Sequence, residues 1–176
     1  MRGPRVGGRG VGGGGFDLLK LSELVVEGAI LPALVSNQRE AVVRELLGSL
    51  VVAKIVPANV TEDLVARVME REKRGSTGFG RGVAVPHVKH AGLTKMAAAI
   101  GLSSTGVDFA SLDRQPVHTV FLLLSPEDRP EDHLKAMEVI FKNLSKDTFR
   151  RFLRQAQTVD DVRTILIEAD SHQLGS

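Results

Sequence analysis

The sequence predicts one layered α/β domain, with a mixed sheet of about five strands and helices on both faces. Three observations predict it. Val117 to Leu124 is a nearly continuous apolar run, the pattern of a central strand covered on both sides. Apolar residues recur at helical spacing before it (Val42, Val43, Leu46, Leu47, Leu50) and after it (Ile140, Phe141, Leu144). Between the early helices and the central strand, a glycine-rich turn leads into a short valine-rich run that stops at Pro86. Helices first, then strands leading into helices, suit a sheet sandwiched between helical layers.

The elements follow in order. Residues 1–15 hold eight of the eighteen glycines, three arginines and no acid. Such a segment cannot offset its ordering entropy by burial, so a disordered tail is expected. The domain proper is expected over residues 16–170, with a frayed tail at 171–176. Val25, Val26, Ala29, Ile30 and Leu31 form a short strand or a lead-in turn, broken by Pro32. Asn37 reads as an N-cap, with Glu40 completing a capping box. Thr61-Glu62-Asp63 opens a second helix, its acids placed where the dipole favours them. Leu64, Val65, Val68 and Met69 make its core face, and it ends in a charge run before Gly75.

Val83 to Val85 is a short strand that Pro86 ends, because proline has no N–H for the ladder. Ala97 to Ser103 is a strand of small residues, with a turn at Thr105-Gly106. After the central strand, Pro130 takes the first position of a helix with Glu131 and Asp132 in its first turn. Leu134, Met137, Ile140, Phe141 and Leu144 are its expected core face. Two shorter helices cover 145–155 and 158–169, the second capped by Thr158 with Asp161.

Composition excludes several classes of function. Hydrophobic residues are 43% and charged residues 25%, which suits a soluble globular chain. With no cysteine, there is neither a disulfide nor a thiolate metal site. No apolar run is long enough to span a membrane and no signal-peptide core is present, so a cytoplasmic location is the default. The formal charge is +2, but the three arginines of the first fifteen residues account for it; the remainder carries about −1. That body has no basic field for nucleic acid and no tryptophan or tyrosine to stack bases.

The chemistry centres on Gly75-Ser76-Thr77-Gly78-Phe79-Gly80-Arg81-Gly82-Val83-Ala84-Val85-Pro86-His87. This places one imidazole at a strand end beside exposed backbone N–H groups. A neutral imidazole keeps a lone pair near pH 7, so His87 can serve as a nucleophile that carries a phosphoryl group. Phosphoryl transfer needs positioning and hydrogen-bond donors more than proton chemistry. Gly78-x-Gly80-x-Gly82 precedes a strand, whereas the dinucleotide fingerprint follows one. His87-x-x-His90 with His133 fits no common zinc spacing, so no metal or other cofactor is expected. His90 reads as exposed at the strand end, and His118 and His172 have no assigned role.

Gly82-Val83-Ala84-Val85-Pro86-His87, preceded by Arg71-Glu72 and Gly75-Ser76-Thr77, resembles the active-site signature of type-2 enzyme IIA domains. These are the mannitol/fructose-type and nitrogen-regulatory phosphocarriers of the bacterial phosphoenolpyruvate-dependent phosphotransferase system. The resemblance covers roughly residues 18–170. It implies the mannitol-type IIA fold, with His87 as the phosphorylated residue and His133, forty-six positions later, as the second active-site histidine. It implies that Arg71, sixteen positions before His87, meets the phosphoryl group, for which guanidinium offers a planar fork of donors. Gly75, Ser76 and Thr77 would bind phosphoryl oxygens. The partners it implies are a histidine phosphocarrier protein as donor and an enzyme IIB domain or a regulatory target as acceptor. An apolar rim near Phe79, Val88 and Leu93 would dock them. No permease-like or IIB-like segment accompanies the domain, which favours the nitrogen-regulatory branch. One departure stands out: the family usually has a small residue after the histidine, and here it is Val88, which avoids positive φ. A regulatory binding module that is never phosphorylated is the alternative on the same fold.

Overall fold

The central apolar run is a strand, β6 (Val117–Pro126), and the rest of the sheet is arranged around it. A computed structural model describes residues 19–172, so the expected 1–15 tail and residues 173–176 lie outside the described part. The remaining elements are α1 (Leu21–Leu24), β1 (Val25–Leu31), α2 (Arg39–Val52), α3 (Thr61–Lys73), β2 (Gly78–Gly80), β3 (Val83–Ala84), β4 (His87–His90), β5 (Ala97–Val107), α4 (Pro130–Leu144), α5 (Asp147–Gln155) and α6 (Val159–Asp170). The sheet runs β1-β5-β6-β3-β2, and β4 also pairs with β6. It is mixed: β5 is antiparallel to β6, while β3 and β4 are parallel to it.

Both faces of β6 are covered, as its composition requires. Phe121 and Leu123 pack with Ala136, Ile140, Leu144, Phe149, Leu153 and Leu166 from α4, α5 and α6. Val120, Leu122 and Leu124 pack on the other side with α2 and α3. Alternation along the pleat separates the two sets. Burying each such side chain stabilises the fold by roughly 1.5–3 kcal/mol.

The sheet has six strands rather than five because Pro86 divides one edge instead of ending it. β3 pairs Val83 with Thr119, and β4 resumes with His87 opposite Leu123. Proline lacks a donor but keeps its carbonyl, which accepts from Leu123 N at 3.0 Å. The chain therefore stays docked on β6 across the break, and His87 begins a strand.

Three other expectations change. The helix after Asn37 starts at Arg39 with no side-chain cap. The Asn37 carbonyl instead accepts from Asp108 N at 3.0 Å, which ties that segment to the end of β5. Thr105-Gly106 is an irregularity inside β5, where the register with β6 shifts. Gly106 has φ of +96°, and a Cβ there would meet Pro116 at 2.7 Å. In α4 the buried stripe is His133, Ala136, Ile140, Asn143 and Leu144, so the helix is rotated from the expected face. Leu134 is left 67% exposed and Phe141 37% exposed. The capping box at Thr158 is present, with Asp161 N donating to Thr158 Oγ1 at 3.0 Å and Thr158 N to Asp161 Oδ2 at 3.1 Å.

Candidate functional site

Two imidazoles meet where β4 begins and where α4 leaves the end of β6. The rings of His87 and His133 lie with centroids 5.5 Å apart and planes tilted by 45°. β4 positions the first through its ladder to Leu123. α4 positions the second, because the turn after Pro126 starts that helix at Pro130 and its first turn faces the sheet.

Each ring is held by one nitrogen. His87 Nδ1 lies 2.8 Å from the carbonyl of Val85. A carbonyl only accepts, so Nδ1 carries the proton and Nε2 of the neutral ring keeps the lone pair. That acceptor lies two residues upstream, in the break between β3 and β4. His133 Nδ1 lies 2.7 Å from Ser125 Oγ, which is fully buried. When that hydroxyl donates, His133 has its proton on Nε2.

Burial pushes the pKa of His87 below the ordinary imidazole value. The cations of Arg71 and Lys89 act in the same direction, against the Val85 hydrogen bond and the Glu72 carboxylate. Burial also lowers His133, with help from His87 and Lys89, to about 4. Both rings are therefore neutral at pH 7, which leaves His87 with a usable lone pair.

The same depression predicts a pH dependence of stability. Unfolded His133 takes a proton near pH 6.5, whereas the folded ring resists until about pH 4. Its contribution is complete above pH 6.5 and is lost as the pH falls towards 4, by roughly 1–3 kcal/mol. Urea unfolding across that range should show stability falling with acidification, and less steeply in His133→Asn. A slope unchanged in His133→Asn would mean that the ring takes up its proton equally readily folded and unfolded.

Arg71 lies in the last turn of α3, half-buried, and donates from Nη1 to the carbonyl of Gly75 at 2.9 Å. This fastens the guanidinium at the start of the glycine turn, within electrostatic reach of His87. Ser76 and Thr77 are placed differently from the expectation that their hydroxyls bind phosphoryl oxygens. Ser76 Oγ donates to Phe109 O at 2.8 Å and accepts from Gly78 N at 3.0 Å. Thr77 Oγ1 donates to the buried Glu72 carboxylate. Both hydroxyl protons are already used in shaping the turn. Gly75 has φ of +150°, a conformation that favours glycine, and its N–H donates to Glu72 O at 3.1 Å.

His90 is buried rather than exposed. Its Nε2 lies 2.6 Å from Asp63 Oδ2, and its Nδ1 accepts from Gly92 N at 2.8 Å. The cause is the pleat: His87 faces α4, whereas Val88 and His90 turn towards α3. His90 therefore cannot share a site with His87 and His133, and among the described residues no cluster of three or more His, Asp or Glu is arranged for a metal. Val88 packs with the α2–α3 layer and does not cover the His87 ring. Leu93 is also buried on that side, so it is no part of a docking rim. Phe79 instead packs on Phe141, with ring centroids 5.0 Å apart.

Sequence reasoning named Glu72 within the signature without giving it a role, and passed over Ser125 and Lys89. Glu72 falls on the apolar stripe of α3 with Val65 and Val68, and a carboxylate there was the available signal. Ser125 continues the apolar run of β6 into the buried layer. Lys89 is exposed, and only its place on the His87 face of β4 makes it relevant.

Among the described residues, no helix is long and apolar enough to cross a membrane. A nitrogen regulatory protein of Bradyrhizobium diazoefficiens is 36% identical over 149 residues, covering 84% of this chain and 95% of that protein. The fructose-specific EIIABC component of the Bacillus subtilis phosphotransferase system is 32% identical over 152 residues, which is 86% of this chain but only 24% of that much longer protein. The crystal structure of the nitrogen regulatory protein IIA-Ntr from Neisseria meningitidis superposes with a TM-score of 0.73 at 28% identity, covering 82% of this chain and 97% of that one. Residues 23–169 match the family described as phosphoenolpyruvate-dependent sugar phosphotransferase system, EIIA 2. With that match spanning most of the chain, and with the mixed sheet and helical layers already described, the chain belongs to the EIIA 2 family of the phosphotransferase system.

Proposed function

We propose that this protein is a phosphohistidine carrier that takes a phosphoryl group on Nε2 of His87. The donor is the phosphorylated histidine phosphocarrier protein or its nitrogen-branch paralogue. The acceptor is an enzyme IIB domain or, in a nitrogen-regulatory role, the output is a changed contact with a target protein. The single observation that carries this reading is the pair of facing imidazoles, one tethered through Nδ1 to a carbonyl so that its Nε2 keeps the lone pair.

The step balances without a net proton transfer. The lone pair of Nε2 attacks phosphorus, the donor's N–P bond breaks, and its electron pair stays on the departing imidazole nitrogen. His87 keeps its Nδ1–H throughout, still bonded to Val85. The positive charge gained by the His87 ring is shared with that carbonyl and offset by the phosphoryl oxygens. Arg71 supplies fixed positive charge beside the ring, and Nε2–H of His133 supplies a donor for a phosphoryl oxygen. Passing the group onward is the reverse of the same displacement.

Val88 packs on the opposite face from His87, which supports a phosphorylated carrier over a binding module that is never phosphorylated. Relatives of both branches match at similar identity, 36% and 30% for two nitrogen regulatory proteins and 32% for the fructose-specific component. Incubation with phosphoenolpyruvate, enzyme I and the histidine phosphocarrier protein should add one acid-labile phosphoryl group by intact mass. No gain on the wild-type chain would reject the carrier role. Subsequent loss of the group to a fructose-type IIB domain would favour the sugar branch over the regulatory one.

A further inference from the structure

Glu72 is a carboxylate with its side chain wholly buried at the end of α3. An ionised group in that position is costly unless its acceptor sites are filled. Thr77 fills two of them, donating its backbone N–H to Oε2 at 3.0 Å and its hydroxyl to Oε1. Arg39, on the first turn of α2, adds a longer ion pair at 3.6 Å. The carboxylate therefore pins the glycine turn to two helices.

The pinned residue leads to the imidazole. The Thr77 carbonyl accepts from Val85 N at 3.2 Å, and the Val85 carbonyl accepts from His87 Nδ1 at 2.8 Å. Glu72, Thr77, Val85 and His87 thus form an unbroken series of hydrogen bonds from the helix end to the ring. The turn is held from its other side by Ser76 Oγ on Phe109 O and Ser111 Oγ on Gly78 O. Among the described residues, no other carboxylate contacts Thr77.

We propose that Glu72 is a positioning residue for His87: by holding Thr77 it sets the place of the Val85 carbonyl, and so keeps the His87 proton on Nδ1. The proposal rests on the phosphocarrier reading only for its effect on rate; the proton position is a property of the unphosphorylated protein. Acceptor-only chemistry explains the choice of residue. An apolar side chain of similar size would leave the Thr77 N–H buried without a partner. A glutamine can accept from that N–H and donate to Thr77 Oγ1, so it preserves both contacts with one reversed.

The test uses the full chain, with nitrogen-15 NMR of the histidine rings near pH 8 and single-turnover phosphorylation by the histidine phosphocarrier protein. Wild type should show His87 as one Nδ1–H tautomer. Glu72→Gln should keep that tautomer and transfer within about threefold of wild type. Glu72→Ala should give mixed tautomers and about 10- to 100-fold slower transfer, with half-saturation by the donor unchanged. A folded Glu72→Ala protein with a pure Nδ1–H ring and the wild-type rate would overturn the proposal. If Glu72→Ala does not fold, Thr77→Val decides: mixed tautomers support the series, and an unmoved Nδ1–H ring overturns it. Wild type that accepts no phosphoryl group would sink the carrier reading, while the tautomer measurement would still judge Glu72.

Discussion

Replacing His87 with alanine is expected to abolish phosphoryl uptake, by at least about a thousandfold. The expectation follows from what the other imidazoles are doing. His133 is buried with Nδ1 engaged by Ser125. His90 is buried on the opposite face of β4 with both nitrogens engaged by Asp63 and Gly92. His118 is tied through Nδ1 to the Ser103 carbonyl at 2.8 Å, on a different part of the sheet. None combines a free lone pair with a neighbouring Arg71. Intact-mass analysis after the phosphorelay incubation, with and without the substitution, reads the outcome directly. A phosphoryl group retained on the alanine variant would move the site, with His133 the first place to look. The fold should survive, because the half-buried His87 ring belongs to neither apolar layer.

Replacing His133 with alanine is expected to slow transfer about a hundredfold, the usual cost of removing one preorganised donor to a developing oxyanion. Half-saturation by the donor protein should change little, because the ring is buried and, in the proposed transfer, acts at the phosphoryl group rather than on the docking surface. His133→Gln should recover part of the rate, since an amide N–H donates to oxygen but lacks the same ring geometry. Single-turnover kinetics across donor concentration separates the two effects. A rate equal to wild type in folded His133→Ala would leave this ring as a core residue hydrogen-bonded to Ser125 and nothing more. The variant leaves a cavity beside Ser125, so thermal unfolding must accompany the kinetics.

How much of this was legible beforehand depends on the range of the interaction. The central strand was visible because a run of apolar residues buried on both sides needs no partner to be named. The terminal capping box at Thr158 was visible because it is made within four residues. Asn37 looked like the same device but is not, since its backbone is claimed by Asp108, seventy-one positions away in the chain. The rotation of α4 was hidden for a similar reason. Leu134 and Phe141 outrank His133 and Asn143 in hydrophobicity, and only the packing of the helix on β6 shows that the polar pair is buried instead.

What the order of residues determined by itself was local: glycines that permit the turn, a proline that interrupts the edge, an imidazole directly after it, and helices with apolar stripes. Those features carry their own steric and hydrophobic instructions within a few positions. Only the tertiary structure decided which ring faces which. Alternation along four residues of β4 sends His87 towards His133 and His90 towards Asp63, and the helices on either side supply partners from distant parts of the chain. Proton positions on the imidazoles follow from those partners, because a carbonyl can only accept and a carboxylate can only attract a donor.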